Sequence, residues 1–177
     1  MATQSKSGSI FPSKNIQRID YKTLSKKELL VIYNYLEEFF GISKKHFKGF
    51  TFIKRGKDAW ICSEKSLQTI AFSSLGLKIN TIGIRSIRSA FESNKKLTTN
   101  FIQIFGKHAT KGTFELSQEH ILPYARGEDL DIPEIGRGYK IVTYKKHIIG
   151  MGSAQDNILV NQIPKSRFIK NWNITAI

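Results

Sequence analysis

Residues 138–154 constrain the architecture more than any other stretch. They read as a tight β-hairpin with a polar tip, and the second strand carries Gly150 and Gly152 at alternate positions. Successive side chains on a strand point to opposite faces, so the two glycines thin the same face. Glycine inside a strand marks a corner, a bulge or a close backbone approach. Together these features point to a small barrel.

Charge is the second constraint. Lys and Arg number 28 against 14 Asp and Glu, a net charge of +14, and such an excess favours partners made of phosphate. The excess is segregated. Residues 85–112 carry Arg85, Arg88, Lys95, Lys96, Lys107 and Lys111 against Glu92. Residues 113–135 reverse the sign, with Glu115, Glu119, Glu128, Asp129, Asp131 and Glu134 against Arg126. Residues 137–177 return to basic through Arg137, Lys140, Lys145, Lys146, Lys165, Arg167 and Lys170 against Asp156. A positive face and a separate negative one follow from this pattern. Hydrophobic residues make up 40% of the 177, enough for a real core. Cys62 is the only cysteine, which fits a reducing compartment and, beside Trp60 and Ile61, a buried structural thiol. Residues 1–15 lack the apolar centre of a signal peptide, and no apolar run reaches membrane-spanning length. The expected location is the cytoplasm, or the nucleolus in a eukaryote.

Ser25 opens a helix, with Glu28 placed for a capping box. Leu29, Leu30, Ile32, Tyr33, Leu36, Phe39 and Phe40 follow at helical spacing, and Gly41 supplies the stop. The period then falls to two. Residues 50–62 read as a hairpin turning at Arg55, Gly56, Lys57 and Asp58. Phe39, Phe40, Phe50, Phe52 and Trp60 are assigned to the core. Ser63 caps a helix at 64–72 with Leu67, Ile70 and Ala71 inward, and residues 77–91 are extended, with Gly83 a bulge or a close approach. Residues 98–106 form an apolar strand or a short helix, and 107–111 a basic loop. Phe114 and Leu116 make a short strand, Ser117 caps a helix over 118–126 that Gly127 ends, 127–137 is an acidic loop, and a last strand runs around 158–169. The order predicts an α+β chain: a disordered N-terminal extension at 1–15, an α/β domain at 16–94 and a β domain at 95–177.

Catalytic chemistry leaves no signature. Residues 105–113 lack the glycine spacing of a phosphate loop, and Lys111 is not followed by Ser or Thr. Gly150 and Gly152 lack the third glycine of a dinucleotide fingerprint. His46, His108, His120 and His147 form no i,i+4 pair, so no zinc site is supported. The carboxylates at 128–134, interrupted by Pro133, match no cation loop. No catalytic residue, metal or cofactor is expected, and the chain reads as non-enzymatic. His108, between Lys107 and Lys111, is the histidine assigned a function. Tyr139 and Tyr144 flank the hairpin and serve either cross-strand packing or base stacking.

Residues 117–154 resemble a PUA domain, a small pseudobarrel named for pseudouridine synthases and archaeosine transglycosylases. The resemblance rests on the helix leading into Arg126, Gly127, Glu128 and Asp129, the strand opened by Gly138, and the strand holding Ile149, Gly150, Met151 and Gly152. The preceding half, through Ala59 to Leu67 and Thr81 to Arg85, is similar to two related groups. One is the small ribosome-biogenesis proteins with a pre-PUA domain. The other is the C-terminal accessory region of Nop/Sun-type RNA cytosine methyltransferases, sometimes free-standing in archaea. Gln162 to Arg167 resembles the end of the latter. The resemblance implies a pre-PUA-like α/β domain packed on a PUA-type β pseudobarrel. It also implies a non-catalytic protein that binds rRNA or tRNA in rRNA processing, modification or ribosome biogenesis. An RNA methyltransferase or a ribosome assembly factor is the implied protein partner. The alternative is a protein–protein adaptor whose acidic 128–134 loop meets a basic partner.

In that family RNA lies against the PUA helix, the loop after it and the glycine-bearing strand. Carried onto this sequence, this implies Arg126, Gly127, Gly138, Lys140 and Gly150. The charge map adds Lys107, His108, Lys111, Lys165 and Arg167. Glycine suits such a surface because a missing side chain admits a sugar-phosphate backbone. The alternative for Gly150 and Gly152 is a barrel corner or bulge.

Overall fold

A computed structural model describes residues 21–72 and 81–169 of the chain. The extension at 1–15, Leu77, Ile79, the side chains of Ile70 and Ala71, and Trp172 lie outside the described residues.

Strand β1 (Lys22–Thr23) leads into helix α1 (Lys26–Phe40). Ser25 Oγ accepts from the Glu28 N–H while the Glu28 carboxylate accepts from the Ser25 N–H, the expected capping box. That backbone bond, with Lys54 beside it, holds the Glu28 carboxyl down at about 2. Ile32, Tyr35, Leu36 and Phe40 form the buried stripe. Leu30 and Phe39 do not join it, at 57% and 55% exposed. The helical period puts Leu30 opposite the stripe, and Phe39 lies in the last turn against the Tyr35 ring, 5.3 Å away.

A single turn of 3₁₀ helix at Lys44–Phe47 precedes the hairpin of β2 (Phe50–Arg55) and β3 (Asp58–Ser63). Helix α2 (Glu64–Phe72), capped by Ser63 Oγ on the Ser66 N–H, follows. Then come β4 (Ile84–Arg88) and β5 (Lys96–Leu97), and the five strands form one antiparallel sheet in chain order. Both faces are covered. Phe52, Ala59, Ile61 and Ile87 pack toward α1, and Ile53, Trp60 and Cys62 pack with Tyr21 and Ile82 on the other side. Burial pushes the Cys62 thiol up, as befits a structural cysteine. Phe50, at the start of β2, is 38% exposed rather than core.

The strand-or-helix ambiguity at 98–106 resolves as helix α3 (Thr99–Phe105), capped by Thr98 Oγ1 on the Phe101 N–H. Phe101, Ile102 and Phe105 extend the core of the first half to Ile141 and Met151 of the second. Next come β6 (Thr113–Glu115), α4 (Gln118–Arg126), β7 (Leu130–Asp131), β8 (Gly138–Tyr144), β9 (His147–Gln155) and β10 (Ile158–Asn161). The second sheet runs β6-β8-β9-β10-β7, with β6 parallel to β8 and the rest antiparallel. It wraps a separate core of Leu116, Tyr124, Leu130, Ile132, Val142, Ala154 and Leu159. The β8–β9 hairpin turns at Lys145 and Lys146, both at positive φ (48° and 66°), the geometry of a two-residue turn that follows strand twist.

The α+β class is as expected, with local differences. The last strand ends at Asn161, and a 3₁₀ turn at Lys165–Arg167 follows Pro164, which has no N–H to offer a ladder. The acidic loop contains β7, which exists because β10 pairs with it. Ser117 does not cap α4: its Oγ bonds Glu119 and His120 instead.

Candidate nucleic-acid interface

The glycines separate into open and filled positions. Gly138 is exposed at φ +107°, with open space where a Cβ would stand. Gly150 is buried, and a Cβ there would meet Ile163 Cγ1 at 2.5 Å. Gly152 is buried beneath Leu159 and the Tyr124 hydroxyl. The room left by these two is taken by the protein's own side chains, which corrects the reading of Gly150 as an open surface for RNA and favours the corner-or-bulge alternative, the β8–β9 register shifting next to Gly150. Gly127, at φ +95°, ends α4 in the left-handed conformation, and the Phe168 ring lies 2.3 Å from where its Cβ would be. The space in the Cβ direction of Gly127 is therefore taken by Phe168.

The predicted cations sit on different elements. Lys107 is exposed at the end of α3, next to His108, whose ring stacks on His46 at 3.9 Å. Burial first, then His46 and Lys107, hold the His108 imidazole below its ordinary value. The exposed Lys44 and Lys45 of the 3₁₀ turn flank His46. Lys111 Nζ donates to the Glu38 carbonyl at 3.5 Å, so part of its charge serves the C-terminal end of α1. Arg126 is exposed at the end of α4, where the Ile169 N–H donates to the Ala125 carbonyl and ties the tail alongside. Lys140 points to the opposite face of β8 from Tyr139, and it is Tyr139 whose ring has Lys96 over it at 5.8 Å. Lys140 and Lys96 therefore serve different sides of the sheet.

Lys165 and Arg167 lie together on the exposed 3₁₀ turn, and Arg167 reaches α3, donating to Gln103 Oε1 at 3.2 Å and to Asn100 Oδ1. There a cleft of about 500 Å³ opens between the two halves. Arg85, Arg88 and Lys96 line it from the first sheet, Gln162, Pro164 and Arg167 from the tail, and Thr98, Thr99 and Asn100 from the start of α3. Arg85 is occupied, 3.2 Å from Asp58 and 5.7 Å from the Trp60 ring centroid. Lys96 donates to Gln162 Oε1, and burial, then Arg88, lower its ammonium below the usual lysine range. Asn100, Gln103 and Ile104, at i, i+3 and i+4 of α3, are exposed and share one outward face, and Lys107 is exposed on the 3₁₀ turn at Gly106–His108 that follows. That face leads from the cleft to the Lys107–His108 cluster. Arg85, Arg88 and Lys96 stood in the sequence as part of a basic run, but no sequence signal joined them to Arg167. Among the described residues no His, Cys, Asp and Glu cluster gathers to hold a metal, and no helix is long and apolar enough to cross a membrane.

Residues 111–169 match the family model of the methyltransferase RsmF PUA domain. Residues 111–169 therefore carry a PUA domain, and their curled sheet fits that pseudobarrel. The chain is similar to the ribosomal RNA small subunit methyltransferase F of Psychromonas ingrahamii, 26% identical over 157 residues, which cover 86% of this chain and 31% of the relative. The protein of the same name from Aeromonas salmonicida is 30% identical over 90 residues, 50% of this chain and 19% of the relative. The chain thus spans less than a third of the length of these curated relatives. Of the two groups the sequence resembles, the methyltransferase group is the one matched. The expectation that the chain is non-enzymatic does not stand, because both relatives that it matches bear an enzyme's name.

Proposed function

We propose that the chain recognises small-subunit ribosomal RNA and presents it for methylation in the cytoplasm, through basic side chains grouped at the two ends of α3. The observation that carries this reading is the PUA match at 111–169 on a chain with a net charge of +14. The relatives' printed name supplies the RNA and the reaction class. In this reading residues 16–94 are a pre-PUA-like unit, and 95–177 the PUA unit that brings most of the contacts. Arg167 and Lys165 meet the RNA at the cleft, and Lys107 and His108 at the far end of α3. Arg126, Gly138 and Lys140 contribute from the barrel. Each cation positions RNA through phosphate, and base choice needs contacts to base edges or faces.

The test is binding to small-subunit rRNA fragments across a salt series. Log affinity should fall linearly with log salt, as counterions are released from each neutralised phosphate. Affinity that stays flat between about 50 and 200 mM salt overturns the reading.

A further inference from the structure

We propose that the cleft between the two halves is a binding site for the phosphate of a single unpaired nucleotide of RNA. The inference rests on the RNA-binding reading above and deepens it by naming what the cleft takes. Charge is the first support. Arg85, Arg88, Lys96 and Arg167 line the cleft, and among the described residues no carboxylate does. Asp58 offsets Arg85 from behind, but Arg88, exposed, has no ion-pair partner among the described residues. Arg88 and Lys96 stand opposite each other on β4 and β5, and burial first, then the like charge of Arg88, disfavour the Lys96 ammonium. An anion between them relieves both effects, because an opposite charge favours the ammonium.

The neutral groups are set the same way. The amide oxygens of Asn100 and Gln162 are already bound, by Arg167 and Lys96. What those two amides have left is their NH₂ donors, which suit phosphate oxygens. Size is the third support. A cleft of about 500 Å³ falls in the range of small-molecule sites, roughly 300–1,000 Å³. It has room for one nucleotide. Single-stranded loops and ends are where unstacked nucleotides are found in RNA.

The full chain should be titrated with 5′-CMP, with cytidine, with a single-stranded oligoribonucleotide and with an RNA duplex of the same length. Perturbation of backbone amide signals at residues 84–88 and 96–100 by 5′-CMP but not by cytidine supports a phosphate site, and equal perturbation by cytidine overturns it. The oligoribonucleotide and 5′-CMP arms separate an internal phosphodiester from a terminal phosphate as the preferred form. The Arg88→Gln/Lys96→Gln protein should bind the single strand about tenfold or more weakly, with the duplex affected less. Arg88→Gln alone, at an exposed side chain, guards against loss of fold, and the melting temperature of each protein is measured alongside. Undiminished single-strand binding by both variants overturns the cleft site and leaves the RNA-binding reading standing. If the unmodified chain binds no RNA, that reading falls and this inference with it.

Discussion

At the scale of single residues, the histidine stack shows how a side chain's surroundings set its titration. His108 lies against His46, 3.9 Å between ring centroids, with Lys107 adjacent. All three influences on its imidazole, burial first, disfavour the charged form. The unfolded chain takes up a proton near the ordinary value of 6.5, while the folded imidazole holds out to lower pH. The folded state therefore keeps its full stability above 6.5 and loses some as pH falls through that value toward the lowered one. His108→Gln removes this component. The drop in melting temperature between about pH 8 and pH 5.5 should be smaller in the variant, and an equal drop in both proteins would show that His108 carries no such linkage. Gly150 makes the complementary point. Its lack of a side chain was legible in the sequence as a close approach, but the approaching group is Ile163 of the same chain.

Among the elements, those whose evidence is local were legible. Ser25, Glu28 and Gly41 mark α1 through bonds within a few residues, and the β8–β9 hairpin declares itself by period and turn. The seven residues of α3 fit either period, and what decides them is burial between two halves that the chain brings together later. β7 was hidden because two residues have no period, and β10 defines them. The acidic loop that holds β7 is a latch as much as a charged surface. Asp129 Oδ1 accepts from the Asn161 N–H at 2.7 Å, and Asn161 Nδ2 donates to the Tyr124 carbonyl at 2.6 Å. Together they tie the end of α4 to the end of β10. Asp129→Ala removes the acceptor from a backbone N–H and should cost about 1–3 kcal/mol in urea unfolding. A loss within about 0.5 kcal/mol, the scale of an ordinary surface change, would mean that the latch does not hold β10.

Across the whole molecule, the sequence revealed a positive surface but not its shape. Lys107 and Arg167 are legible as cations, and so is the basic run that contains Arg88 and Lys96. Their grouping is a product of topology: the tail crosses the seam, Arg167 lands on the uncharged α3, and Lys107 follows on the 3₁₀ turn beyond it. With seven residues and a rise of 1.5 Å each, α3 separates the cleft from Lys107 by about 10 Å. Changes that far apart, with no shared partner, add in free energy. On a single-stranded rRNA fragment long enough to cover both ends, the losses in log affinity from Arg88→Gln and Lys107→Gln should therefore sum in the double variant. Each should also flatten the slope of log affinity against log salt by roughly 0.7, the value for one single-strand phosphate contact. On 5′-CMP, too short to span the helix, Arg88→Gln should weaken binding and Lys107→Gln should not. If Lys107→Gln leaves both the affinity for the long fragment and its salt slope unchanged, the contacts end at the cleft and the RNA leaves the protein there.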